Sequence, residues 1–269
     1  FTNSFTRFTN TLKYTIHYFM FSKDIEFSCP VDYFNQKEDY PVPATLNIPD
    51  WFKKLNHDKH VPTIKGCMPF LDTLKAGYLL KMPQDMNIRH NVLNPNENNK
   101  LDSFQQSSMR EARDILLMTG VNLNSSHVEA HPNSQLEGCP LNKKNSNLPF
   151  HKILNPWTIK TPPGYSCLFV PPLNNADDRF SIIPGIVDTD TFNLEINFPI
   201  VINGDKYPSQ ELFIKKGTPY VQVIPFKRDD WKMKVTSFKS KKSLMDKTFF
   251  GLTFWNKYKN KCWNKKTWK

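Results

Sequence analysis

Two carboxylates, Asp188 and Asp190, stand two residues apart in the stretch Pro184-Gly185-Ile186-Val187-Asp188-Thr189-Asp190-Thr191-Phe192. A carboxylate so placed can act as a general base on a bound water. Asp also bonds its own backbone in turns, so a purely structural reading stands beside the catalytic one. His127 and His131 have HxxxH spacing, which on a helix would put both imidazoles on one face and toward one metal ion. Their neighbours Asn124, Ser125, Ser126, Pro132 and Asn133 read as loop, so no metal site is expected. His57 and His60 flank Asp58 and Lys59 and read as a solvated helix end. The sequence contains no GxGxxG, Walker A, HExxH or GxSxG pattern, which removes the common dinucleotide, P-loop, zincin and hydrolase readings.

The elements that must position these residues are mostly strands. Pro and Gly punctuate β-branched and aromatic runs at Trp157 to Lys160, Ser166 to Val170, Gly185 to Val187, Leu194 to Ile202, Leu212 to Lys215 and Tyr220 to Pro225. Such spacing predicts a compact all-β barrel or sandwich and excludes the βαβ alternation of a Rossmann sheet. Residues 76 to 88 read as two short strands broken at Pro83, and the alternation from Leu12 to Met20 reads as another strand. Asp50 stands where a cap would be for a helical turn over Trp51 to Leu55. The region 89–148 is rich in Asn, Ser and Lys and reads as an insertion, with a helix predicted from Asp102 to Met118. The division is therefore residues 1–64 as an N-terminal strand and linker region, 65–226 as the β domain, and 227–269 as a tail. Period-two alternation puts Tyr78, Leu80, Trp157, Tyr165, Leu168, Ile186, Ile196, Phe198, Val221 and Val223 in the core.

Charge is concentrated in the tail. Residues 227–269 hold 14 Lys and Arg against three acids, which accounts for the whole net charge of +11. Nine large aromatics are interleaved there, so the tail is too apolar for a solvated linker. Three readings remain open: rings packed on the body of the same chain, rings buried against a partner, or Lys and rings gripping nucleic acid. Docking on a partner is the expected one, with Trp231, Phe250, Phe254 and Trp255 as anchors and Lys at the rim. The five Cys lack paired spacing, so neither a disulfide framework nor a zinc ribbon is expected and a reducing compartment is the default. The chain starts at Phe1 with no readable signal peptide, and no apolar run is long enough to cross a bilayer, so no membrane partner is expected.

Four segments occur in a fixed order: AGYLLKMPQDM at 76–86, IKTPPGYSCLFVPP at 159–172, PGIVDTDTF at 184–192 and FIKKGTPYVQVIPF at 213–226. Their order resembles the dUTPase and dCTP deaminase-like (β-clip) superfamily, whose pieces are an AGYDL segment, a PGY strand leading to an Arg-Ser-Gly loop, a G-x-I-D-x-D-Y hairpin and a G-x-x-x-A-Q-L strand. Over residues 65 to 231 the pattern C-x-P-F-L-D, T-P-P-G-Y, P-P-x-N, P-G-I-V-D-T-D, K-G-x-P and P-F-K-R looks more closely like an uncharacterised family found in marine bacteriophages and bacteria. The resemblance implies a mainly β, compact β-clip barrel, here with a partly helical insertion and extended termini, and a homo-oligomer, with a trimer favoured.

It also implies that Asp188 matches the acid that activates the attacking water in dUTPases, with Asp190 beside it. The matching stops there. Thr191 with Phe192 replaces the tyrosine that lies under the deoxyribose, Leu79 replaces the acid of AGYDL, and Pro171-Pro172-Leu173-Asn174-Asn175 replaces the phosphate-holding loop. Near it stand only Asp177, Asp178 and one cation, Arg179, where a triphosphate needs several cations or a magnesium ion. The expected function is thus a non-catalytic, phage-encoded assembly or binding protein, a virion component or a protein of the host cytoplasm, with no cofactor. The alternative is a nucleotide hydrolase or deaminase of altered specificity that uses Asp188 or Asp190 and magnesium. A cupin-like metal enzyme is the third reading, ranked last because the His residues fall in loop-like stretches.

Overall fold

The structure, a computed structural model, describes residues 23–34, 37–83, 85–91, 128–145, 150–175, 177–207, 209–237, 256 and 258–269. The predicted helix over 102–118, the alternation from Leu12 to Met20, and the rings of Phe250, Phe254 and Trp255 lie outside the described residues. In chain order the strands are β1 (Glu26–Ser28), β2 (Val42–Pro43), β3 (Tyr78–Lys81), β4 (Met86–Asn91), β5 (Val128–His131), β6 (Phe150–Ile153), β7 (Thr158–Lys160), β8 (Tyr165–Val170), β9 (Phe180–Ile182), β10 (Gly185–Val187), β11 (Phe198–Ile202), β12 (Ser209–Ile214) and β13 (Pro219–Lys227). Among the described residues four short α-helices join them: α1 (Val31–Phe34), α2 (Asp50–Lys54), α3 (Met68–Lys75) and α4 (Pro140–Lys144).

All strand pairs are antiparallel. One sheet has the order β10-β8-β13-β3-β2, a second has β5-β6-β11-β9, and β1-β7 and β12-β4 form two-stranded ribbons. The protein is therefore mainly sheet, but the expected closed barrel does not form among the described residues. The five-stranded sheet ends at β10 and β2 and the four-stranded sheet at β5 and β9, with no strand joining those edges. Residues 128–145, within the Asn- and Lys-rich region, supply strand β5 and helix α4. The buried Asn145 at the end of α4 accepts the Ile202 N–H through its Oδ1 at 2.9 Å, which fastens this segment to β11.

The core lies where the two larger sheets meet. Phe169 of β8 packs against Phe198 of β11 with centroids 5.4 Å apart, and Phe198 meets Tyr220 of β13 edge-on at 5.8 Å. On β13 the four consecutive residues Tyr220, Val221, Gln222 and Val223 are buried, so this strand is covered on both faces. Gly77 is needed beside it. Its φ is +66°, and an added Cβ would sit 1.9 Å from the Val223 carbonyl oxygen, so a side chain there would push β3 off β13.

Of the expected core residues, Leu80, Trp157, Ile196, Phe198, Val221 and Val223 are buried. Tyr165 and Leu168 are only half-buried, because on β8 it is Cys167 and Phe169 that point into the core, and Tyr78, the first residue of β3, is half-buried with its ring meeting those of Phe27 and Trp268. Ile186 is 63% exposed, because β10 is an edge strand whose outer side is uncovered. The strand expected from Leu194 begins only at Phe198. Before it Glu195 makes a single bridge to Thr158, and Asn197 uses its side chain to accept the Asn155 N–H at 3.1 Å. Asp50 is the first residue of α2 rather than its cap, a position held by Pro49 without a side-chain hydrogen bond.

Tyr220 supplies a test of the core. Its hydroxyl is buried with no hydrogen-bond partner among the described residues, and burial pushes its acidity well away from the usual tyrosine range. An orphan buried hydroxyl costs free energy that removing the oxygen recovers. Tyr220→Phe is therefore expected to be neutral or to stabilise by up to about 1 kcal/mol in urea unfolding. A loss above about 1 kcal/mol would show that the hydroxyl has a partner.

Candidate functional site

Antiparallel pairing brings the pieces of the site together. Val187 at the end of β10 pairs with Cys167, and Lys227 at the end of β13 pairs with Tyr165, so both strands finish beside the start of β8. Asp188 and Asp190 follow β10, Arg228 follows β13, and Gly164 to Ser166 open β8. The Arg228 guanidinium donates through Nη1 to Asp190 Oδ1 at 2.9 Å and through Nη2 to Asp190 Oδ2, a two-pronged pairing that suits the planar fork. The same Nη1 lies 3.1 Å from Asp188 Oδ1 and donates to Ser166 Oγ at 3.0 Å and to the Tyr165 carbonyl at 3.2 Å. Ser166 Oγ donates to Asp188 Oδ1 at 2.6 Å, and the Gly164 N–H donates to Asp190 Oδ2 at 2.8 Å. Main-chain bonds close the arrangement: Arg228 N–H to the Gly164 carbonyl at 2.8 Å, and the N–H groups of Thr191 and Phe192 to the Asp188 carbonyl at 3.1 and 2.9 Å.

The two carboxylates differ in exposure. Asp190 is 6% exposed at its side chain and Asp188 is 61% exposed. The Arg228 hydrogen bonds, then that of the Gly164 N–H, hold the Asp190 carboxyl down at about 2, with burial opposing them. An acid held ionised by a fixed guanidinium is a poor proton acceptor, because protonating it breaks the pair. The more exposed Asp188 is engaged by Ser166 and Arg228. Both acids are thus engaged by the chain itself, one guanidinium serving two carboxylates, and a magnesium ion between them would have to displace that guanidinium. The donor set fits a structural clamp better than a metal site.

The loop standing in for the phosphate loop is elsewhere. Residues 171–175 follow Val170 at the far end of β8, roughly 17 Å along the strand from Tyr165. Its amides are used internally. Leu173 N–H donates to Gln222 Oε1 at 2.8 Å, and Asn174 Nδ2 donates to Thr73 Oγ1 at 2.6 Å. Arg179 donates to Asp177 at 2.9 and 2.7 Å, while Asp178 accepts from Lys206 at 2.6 Å and Tyr207 at 2.8 Å. Arg179, and Lys206 followed by Tyr207, hold Asp177 and Asp178 respectively below the usual carboxylate range.

His131 lies on β5, stacked on Phe150 at 5.5 Å, so it is on a strand rather than a helix, and His127 is outside the described residues. His57 Nδ1 accepts the Thr63 N–H at 2.9 Å, and Asp58 Oδ1 accepts the N–H groups of His60 and Val61 at 2.7 and 2.9 Å. That pattern is a turn. Among the described residues no group of three or more His, Cys, Asp or Glu is arranged to hold a metal ion.

The tail divides in two. Trp231, Met233 and Val235 are 89, 92 and 85% exposed on an irregular segment that continues past β13 without a sheet partner among the described residues. The far end returns to the body. Trp263 Nε1 and Lys266 Nζ donate to Asp72 Oδ2 at 2.9 and 2.6 Å, and the Trp268 ring meets Tyr78 edge-on at 6.2 Å. The reading in which the rings pack on the same chain therefore holds for Trp263 and Trp268, while Trp231 has no cover there. No helix among the described residues is long and apolar enough to cross a membrane.

Arg228, Ser166 and Gln222 escaped the sequence reading. The Pro225-Phe226-Lys227-Arg228 segment was visible as a motif, but its partner acids lie about 40 residues away and are identified only by the register of β8 with β10 and β13. Neither protein-family models nor curated proteins show a match to this chain.

Proposed function

We propose that this chain works by binding rather than turnover, as an assembly protein on a dUTPase-like (β-clip) scaffold whose catalytic loops have become structural. The observation that carries this reading is the arm past β13. Trp231, Met233 and Val235 alternate with Lys232 and Lys234 along the segment past β13, with all three apolar side chains in solvent. Burying such side chains would release roughly 1.5–3 kcal/mol each, which favours a partner covering them. The partner in this reading is another copy of the chain, a trimer being the favoured state, or a neighbouring virion protein. The engaged carboxylates at Asp188 and Asp190 support the non-catalytic part. A phage origin and a place in the virion or the host cytoplasm belong to the same proposal.

Sedimentation at micromolar concentration tests it. The wild type is expected to self-associate, and Trp231→Ser/Met233→Ser/Val235→Ser or removal of residues 232–269 is expected to leave monomers. A monomeric wild type, absent from purified virions, would sink the proposal. If the variant assembles normally but loses a steeply salt-dependent affinity for DNA or RNA, the arm serves nucleic acid instead. Release of pyrophosphate or ammonia from a deoxynucleoside triphosphate with magnesium would return the chain to the enzymes.

A further inference from the structure

A cavity of about 660 Å³ opens between α2, the 3-10 turn Ile64–Gly66, α3 and the returning tail near Lys259 and Trp263. Its volume is within the range of small-molecule sites, roughly 300–1,000 Å³. Phe52, Met68, Leu71 and Trp263 supply the apolar wall, and His57, Lys65 and Lys259 supply polar and positive groups, with no acid among the described lining residues. The nearby Asp72 is already engaged by Trp263 and Lys266.

The walls are held in place by bonds outside the cavity. Phe52 stacks on Phe70 at 5.8 Å, and the Trp263 indole is oriented by its 2.9 Å bond to Asp72. His57 accepts the Thr63 N–H at Nδ1 at 2.9 Å. The imidazole rests against Gly66, where an added Cβ would come 2.1 Å from Nε2, so only glycine leaves the ring this seat. Lys65 Nζ donates to the Lys53 carbonyl at 2.7 Å, which ties it to the end of α2. Prefixed aromatic and cationic groups cut the ordering cost of binding.

We propose that this cavity binds a small aromatic anion, its ring against Trp263 and its carboxylate or phosphate toward Lys65 and Lys259. Apolar walls alone would take any hydrophobe; two lysines with no acid among the described lining residues select negative charge. The site is independent of the Trp231 arm and of the assembly reading.

The test uses the full chain and three probes: adenosine 5′-monophosphate, 1-naphthoate and uncharged adenosine, each titrated by calorimetry and by the rise in melting temperature. One or both anions should bind at micromolar to low-millimolar concentration, and which of them binds tells phosphate from carboxylate. Adenosine should bind at least tenfold more weakly. Lys259→Glu, at an exposed position, should weaken binding at least tenfold with the melting temperature of the free protein unchanged, and Trp263→Leu should weaken it as well. Lys206→Glu, on a different surface, should leave it unaltered. If neither anion binds at 10 mM, or if Lys65→Glu and Lys259→Glu both bind as the wild type does, the proposal fails.

Discussion

Gln222→Leu is expected to destabilise the protein by roughly 3 kcal/mol, although leucine is close in volume and leaves no cavity. The amide is 2% exposed on the central strand of the larger sheet. Its Nε2 donates to the carbonyls of Thr73 at 2.9 Å and Ala76 at 2.6 Å, and its Oε1 accepts the Leu173 N–H at 2.8 Å. One side chain thus satisfies carbonyls at the C-terminal end of α3, which no helical N–H can reach, and fixes the loop after β8. Removing it orphans a donor and two acceptors. Each buried orphan costs about 1–3 kcal/mol, and water reaching the helix end would relieve part of the total. Asn174, whose Nδ2 donates to Thr73 Oγ1 at 2.6 Å, joins the same loop to the same helix and limits how far the two separate. Urea unfolding with an unchanged m-value is the measurement. A loss under about 1 kcal/mol would mean that these groups find other partners.

How much of this was legible in the sequence differs by element. Strand β10 was read at Gly185–Val187 because Pro184 and the acids after it bound a three-residue apolar run. The two strands around Pro83 and the strand over Tyr220 to Pro225 were legible for the same reason, punctuation beside β-branched residues. Helix α3 was not anticipated: its eight residues include Pro69 in the first turn, which looks like a breaker unless the helix is known to start there. The facing of β8 was misjudged because apolar residues occur on both sides of it, so alternation does not mark one face. Sheet closure was beyond reach, since it depends on which edges meet. At the site, the acids were legible as residue types and Arg228 was not. A motif shows what chemistry is present, whereas the partner that neutralises it is set by long-range register.

The clamp around Asp190 should make stability depend on pH in one window. Its folded carboxyl titrates near about 2, below the ordinary value of 3.8, chiefly because Arg228 and then the Gly164 N–H bond the charged form. A group whose acidity is strengthened by folding adds stability that is fully present above its unfolded value and lost as pH falls through its folded one. The contribution should therefore be complete above about pH 4 and disappear toward pH 2. Asp190→Asn keeps the shape of the side chain and removes its charge. The variant is expected to be less stable than the wild type at pH 7, to lose this slope between pH 4 and 2, and to converge with the wild type at the acid end. Urea unfolding at pH 7, 4 and 2.5 measures all three. A constant gap between the two proteins at every pH would show that the carboxylate does not carry the effect. The position of the clamp extends its consequence to the arm. Arg228 lies just before the exposed segment with Trp231, and its N–H bond to Gly164 and its ion pairs fix the point from which that segment leaves the sheet end. If the chain self-associates through this arm as proposed, Asp190→Asn should weaken that association at pH 7 even where the β sheets remain folded, because an arm that leaves at variable angles must be ordered again on docking.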